Sequence, residues 1–250
     1  MDMERNGAIK KGAALFGALV GLMLLGAGLP AGGAVELDEK EHAYAVIFAV
    51  SEDGSNGPIL EGWALHNWLL AHGWLDSHIT FLADHQGANG PATKENLQSA
   101  IANVADHSTS ESKVFIAVLD HHQWINGRCY IQATNGLISG PELDSWLDGI
   151  ATYSKMVIEL SSRYSGAFIS DVSGYHRLIV TSHTYSESYT PNHFLLSESL
   201  SDPGADTSGD GYVSVQEAFA QQYNKIMQQY PGTQTPQMDN NWATIILDVA

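Results

Sequence analysis

Apolar residues in this chain fall into short unbroken runs, separated by longer stretches with helical spacing. Ala43 to Val50 ("AYAVIFAV") and Lys113 to Leu119 ("KVFIAVL") have the length and β-branched content of strands buried on both faces. His78 to Leu82, Lys155 to Leu160 and Arg177 to Thr181 read the same way, and Trp242 to Val249 supplies a last strand. Pro58 to His72 predicts a helix closed by Gly73. A second helix opens at Thr93, where "TKEN" puts a carboxylate in the first turn, and a third covers Pro141 to Ile150 with proline at its start. Strands alternating with helices predict an α/β fold: a mostly parallel sheet with helices on both faces, a three-layer sandwich. No internal repeat or low-complexity tract interrupts this order.

Composition refines the picture. A chain of 250 residues, 44% hydrophobic, can bury one sizeable core, and one domain is expected over residues 35–250. Residues 1–34 read as an export signal: Arg5, Lys10 and Lys11 precede an apolar run from Ala13 to Leu29, and Ala31-Gly32-Gly33-Ala34 offers small residues for cleavage. An uncleaved anchor is the alternative, because the run approaches the length of a membrane span. Cleavage near Val35 leaves 8 basic and 26 acidic residues, a formal charge of -18. Such a surface repels nucleic acid and anionic lipid, so neither nucleic-acid binding nor stable membrane association of the mature chain is expected. The expected location is secreted or periplasmic, in a bacterial or archaeal cell. Cys129 is the sole cysteine, which rules out an internal disulfide, and it reads as a packing thiol.

Ligands and chemistry in such sheets gather at the carboxyl ends of the strands. Three segments stand there: "LDHHQW" (Leu119 to Trp124), "SSRYSG" (Ser161 to Gly166) and "TSHTYSES" after the fifth strand. Asp120, His121 and His122 suit acid-base work or metal ligation, and read equally well as a surface-loop pair of histidines behind a carboxylate. The 161–166 turn offers two hydroxyls, a cation and backbone N–H groups for an anion, or simply starts a helix.

Taken in order, "YAVIFAV", "GANGPATKENLQSAI", "VFIAVLDHH", "SGPELDSWLD", "VIELSSRYSGAF" and "RLIVTSHTYSES" resemble the caspase-like cysteine peptidases, most closely the legumain-like branch and its bacterial relatives. The resemblance implies a histidine strand ending in Asp-His-Gly and a nucleophile strand ending in Cys-x-Ser-Gly. Asp120, His121, Ser165 and Gly166 match, whereas His122 replaces the glycine and Arg163 replaces the cysteine. A guanidinium stays protonated and cannot attack a carbonyl, so cysteine peptidase chemistry is absent at position 163. The expected function is therefore that of a catalytically inactive homologue serving as a binding or regulatory protein, with a peptide or protein as the ligand considered. The alternative is an active hydrolase with His121 and a displaced nucleophile, Ser161 or Ser165, which share a face with Arg163 if the strand persists. Arg163 itself reads either as a carboxylate-binding group or as a plug, salt-bridged to Asp120 or Glu159. Trp124, Tyr164 and Tyr185 are candidates for lining the cleft.

"DTSGDGYVSVQE" (Asp206 to Glu217) fits a calcium loop: Asp206, Ser208 and Asp210 at positions 1, 3 and 5, Gly211 at the turn, the Tyr212 carbonyl at 7, Ser214 at 9 and Glu217 at 12. "SDPGA" directly before it argues against an incoming helix, so a structural Ca²⁺ clip is expected rather than a sensor. An acidic turn capping the next helix is the other reading. A distant alternative takes "DHH" as the mark of a metal-dependent phosphoesterase, with His85, His121, His122 and His183 converging on a transition metal.

Overall fold

The longest apolar runs become the middle of the sheet. The computed structural model describes residues 39–51, 56–187, 192–240, 245 and 247. In chain order, β1 (Ala43–Ala49), α1 (Gly57–Ala71), β2 (Ile79–Ala83), α2 (Lys94–His107) and β3 (Lys113–Leu119) come first. A small antiparallel set follows, β4 (His122–Ile125), β5 (Arg128–Ala133) and β6 (Gly136–Ser139), then α3 (Gly140–Leu147) and β7 (Lys155–Ser161). The chain continues through α4 (Ile169–Val172), β8 (Arg177–Thr181), α5 (Leu196–Leu200), α6 (Val215–Gln229) and β9 (Gln237–Asn240).

The main sheet has the order β2-β1-β3-β7-β8-β9, parallel except for β9, which runs antiparallel to β8. Every residue of β1 is buried, because helices cover both faces. Ile47, Ala117, Val157 and Val180 face one layer built from α1, α5 and α6, where Leu65, Leu69, Leu196, Val215 and Ile226 pack. Val46, Ile116 and Ile158 face the other layer, formed by α2, α3, α4 and the small β4-β5-β6 sheet through Leu97, Ile101, Leu143, Val172 and Ile131. Each large aliphatic side chain removed from water in these layers contributes about 1.5–3 kcal/mol. This is the α/β sandwich that the alternating runs predict.

Local chemistry sets the helix starts. Thr93 caps α2 by accepting the Asn96 N–H, and Ser139 caps α3 in a reciprocal capping box with Glu142. Pro58 and Pro141 sit in the first turns of α1 and α3. The third helix stops at Leu147, short of the predicted Ile150.

Along the outer edge of β2, the following loop doubles back. Phe81 N–H donates to the Asn89 side chain, Asn89 N–H returns to the Phe81 carbonyl, and Ala83 N–H donates to the Gly90 carbonyl. The predicted strand over Trp242 to Val249 lies largely outside the described residues, as does the 1–34 segment. Within it, Ile245 and Leu247 are buried, and their carbonyls accept from Val215 N–H and Trp74 Nε1–H. Among the described residues, no helix is long and apolar enough to cross a membrane.

Candidate functional site

Leu119 on β3 pairs with Ser161 on β7, so 120–122 and 162–164 leave the sheet side by side. Asp120 is buried, and its carboxylate accepts the His121 N–H and, at 2.6 Å, the Gln132 N–H of β5. It thereby ties the small sheet to the end of β3. Half-buried His121 turns toward Arg163, whose Nη2 lies 3.3 Å from His121 Nδ1. A guanidinium has only donors, so Nδ1 is the acceptor and the imidazole proton sits on Nε2.

His122 diverges from His121, as neighbours in extended chain must. Its N–H donates to Ser162 Oγ at 2.7 Å, and its ring packs in the core 4.7 Å from that of Phe168. Burial, then the charges of His183, pull its pKa down to about 3, and neither ring nitrogen has a hydrogen-bond partner. His183 is buried with Nδ1 2.8 Å from Ser182 Oγ, while exposed His85 bonds the Gln86 carbonyl. Among the described residues, no three His, Cys, Asp or Glu side chains are placed to hold a metal ion. His121 faces Arg163, His122 packs beside Phe168 and His85 is exposed, so the four histidines of the "DHH" metal reading do not form such a group among the described residues.

The turn after β7 is welded to the end of β8. Tyr164 takes a left-handed conformation, φ 63°, and a 3-10 turn follows over Ser165–Phe168. Ser165 Oγ accepts the His183 N–H at 3.1 Å, and Gly166 N–H donates to the His183 carbonyl at 2.9 Å. A Cβ on Gly166 would stand 2.8 Å from that carbonyl oxygen and 2.9 Å from Tyr185 N, so only glycine permits the approach. Ser161 Oγ accepts from Asn192 Nδ2 at 2.7 Å. Among the described residues, the hydroxyl partners of Ser161 and Ser165 are the Asn192 amide and the His183 main chain rather than an imidazole. Of the two carboxylates expected to plug the site with Arg163, Asp120 or Glu159, Glu159 does not do so: both its oxygens are buried without a hydrogen-bond partner.

A cleft of about 290 Å³ opens at this point, lined by His122, Gln123, Trp124, Ile125, Arg163 and Tyr164. The Trp124 and Tyr164 rings stand 5.5 Å apart, whereas Tyr185 is exposed and does not line the cleft. Cys129 is half-buried in the neighbouring wall, and burial pushes its thiol up to about 12, so it remains unreactive thiol.

The 206–217 loop winds around its own carboxylates. Asp206 accepts the N–H groups of Gly209 (2.7 Å) and Gly211 (3.0 Å), with Gly211 at φ 92°. Glu217 Oε1 accepts the N–H groups of Thr207 and Ser208, and its Oε2 completes a capping box with Ser214 at the start of α6. Those bonds, to Ser214 first, hold the Glu217 carboxyl down at about 2. The donor set is all oxygen, which fits Ca²⁺, but Glu217 serves as a cap here and would have to leave Thr207 and Ser208 to close bidentately on a cation. The segment before the loop holds the five-residue α5 and a 3-10 turn at Pro203–Ala205, with no continuous incoming helix.

The sheet order, the antiparallel last strand and the paired strand ends define a protein of caspase-like fold. Among solved structures it is similar to caspase-1 from Spodoptera frugiperda, with TM-score 0.57 and 13% identity, covering 83% of this chain and 90% of that one. It is also similar to protein GSU0716 from Geobacter sulfurreducens, with TM-score 0.55 and 11% identity over 79% of this chain and 92% of that one. No protein-family model and no curated protein matches the sequence.

Proposed function

We propose that this chain is an exported, non-hydrolytic member of the legumain-like branch, stabilised by calcium, that binds a peptide or protein ligand at the strand-end cleft. The observation that carries this reading is Arg163: it occupies the nucleophile position of the resemblance and bonds His121 Nδ1 at 3.3 Å. A permanently charged donor there supplies no nucleophile and occupies a nitrogen of the one strand-end imidazole placed beside it. Peptide-library hydrolysis tests the reading. The native protein is expected to cleave nothing, and Arg163→Cys to acquire cleavage that adding His121→Ala lowers by about 10²–10⁴-fold. Cleavage by the native protein that His121→Ala abolishes would overturn it.

Calcium support for the fold rests on the oxygen spacing of Asp206, Ser208, Asp210, Tyr212, Ser214 and Glu217. A ligand that binds only the folded chain stabilises it by about 2.7 kcal/mol at a concentration 100 times its Kd. Thermal melts are expected to shift upward with Ca²⁺ in the native protein and to be unmoved in Asp206→Asn/Glu217→Gln, each against its own metal-free baseline. Equal shifts in both would remove the loop as the site.

A further inference from the structure

The outer face of α1 carries no charge. Leu60, Ala64, Asn67 and Ala71 recur at i, i+4, i+7 and i+11, so they form one stripe along the helix, and all four are exposed. Glu61 is the only Asp, Glu, Lys or Arg of α1, and it is buried. The outer face of α2, by contrast, sets Glu95 and Asp106 in water. Beside the α1 stripe lies a groove of about 700 Å³. Ala64, Trp68 and Ala71 line it from α1, and Leu200, Pro203 and Tyr212 from the elements across it. A continuous apolar surface of this kind on a strongly acidic protein marks a place where another molecule sits.

The surroundings select the occupant. Asp206 lines the groove, and exposed Asp202 and Asp210 stand next to its lining residues in the chain. Among the described residues these carboxylates accept neutral donors alone: Asp202 the Gly204 N–H and the Gln221 amide, Asp206 the N–H groups of Gly209 and Gly211, and Asp210 the Tyr212 N–H. No lysine or arginine lines the groove. Were the loop to hold Ca²⁺, Asp206, Asp210 and Glu217 against one divalent cation would still leave it negative. A second copy of this chain would bring a further formal charge of -17 to those carboxylates, so charge favours a different chain with Lys or Arg beside its apolar residues. No strand lines the groove, which leaves an extended segment no edge to pair with, whereas a helix satisfies its own main chain and can enter an apolar groove. The stripe from Leu60 to Ala71 runs about 16 Å, three turns of such a helix. We propose that this groove docks a basic amphipathic helix of a partner protein. It shares no lining residue with the strand-end cleft, so the inference stands apart from the reading of Arg163.

The probe is a fluorescein-labelled helical peptide of leucine and lysine, about five turns long, with its leucines on one face. One control peptide replaces lysine by glutamate, and another keeps the composition but scatters the leucines so that no apolar face forms. In fluorescence anisotropy with the purified protein and Ca²⁺ present, the first peptide is expected to bind at least about tenfold tighter than either control. Ala64→Arg and, independently, Asn67→Arg put a cation and a long side chain into the stripe, and each should weaken that binding about tenfold. Tyr212→Ser should weaken it as well. Gln98→Arg adds the same charge on the exposed face of α2 and should leave binding unchanged. Circular dichroism would establish that each variant is folded. An equal loss in Gln98→Arg would mean diffuse attraction to an acidic surface and would overturn the proposal. So would equal binding of the three peptides, binding that both stripe variants leave intact, or no binding at all. Light scattering on the same samples reads the remaining occupant: a dimer that Ala64→Arg dissolves would assign the face to a second copy and overturn the proposal too.

Discussion

Glu159→Leu is expected to raise the melting temperature at pH 8 and to flatten its dependence on pH. Glu159 lies in the middle of β7, paired with Ala117 and Val180, so it faces the apolar layer under α1. It is fully buried, and neither carboxyl oxygen has a hydrogen-bond partner. Glu61 of α1 is buried in the same layer but bonds the N–H (3.1 Å) and Oγ (2.7 Å) of Ser197. Burial, reinforced by Glu61, pushes the Glu159 carboxyl well above its ordinary value near 4.5, and burial raises Glu61 as well. A carboxyl raised on folding leaves stability intact below its unfolded pKa and erodes it as pH rises through the folded one. The native protein is therefore expected to melt progressively lower from about pH 4.5 upward. Leucine removes an unsatisfied buried polar group and should return about 1–3 kcal/mol at alkaline pH. For a chain of this size that is roughly 2–4 °C per kcal/mol. Glu159→Gln should flatten the pH dependence with little gain, because its amide still lacks partners. Parallel melting curves for all three proteins between pH 5 and 9 would show that Glu159 does not titrate.

The opposite sign is expected at Arg177. This residue opens β8, is 3% exposed, and donates at 2.8 Å to both Asp144 of α3 and Asp148 just beyond it, and at 3.1 Å to the Val172 carbonyl of α4. One guanidinium thus clamps a central strand to two helices. Arg177→Met leaves a carbonyl and two carboxylates without their donor, which costs about 3–5 kcal/mol when the partners are buried. Asp148 is largely exposed and can return to water, so roughly 2–3 kcal/mol is expected. Urea denaturation measures it, with Lys225→Met as reference. The Lys225–Glu198 pair is at the surface, and its loss should cost less than about 1 kcal/mol. An Arg177→Met midpoint shifted no further than that of Lys225→Met would mean that the clamp contributes no more than a surface pair.

The central strands were legible because helices cover both faces and nearly every position is apolar, Glu159 of β7 being an exception. Predicted bounds for Lys113–Leu119 and Arg177–Thr181 coincide with β3 and β8. β9 reads "QMDN" and has no pattern of its own; it is a strand because β8 offers it an edge. β4, β5 and β6 are short and unevenly exposed, and of them the sequence shows only "NGRCYI", which reads as a small hairpin around Cys129. At the site, motif order placed Asp120, His121 and Arg163 on neighbouring strand ends, but the Arg163–His121 bond needs the register of β3 against β7. The burial of His122 was hidden because "DHH" suggests two like residues facing one place, and extended backbone separates them. Glu217 carried both meanings in advance: "SVQE" is a capping box as well as the end of a calcium loop. Its cap is what the structure displays.

The loop that doubles back along β2 has a consequence for association between molecules. The outer edge of a parallel sheet is a template on which a strand from another chain can register and start a fibre. Asn89 and Gly90 already hold the groups of Phe81 and Ala83 that such a strand would seek. An irregular stretch with no assigned ligand thus acts as a guard against polymerisation, and shortening it would trade a surface loop for an adhesive edge.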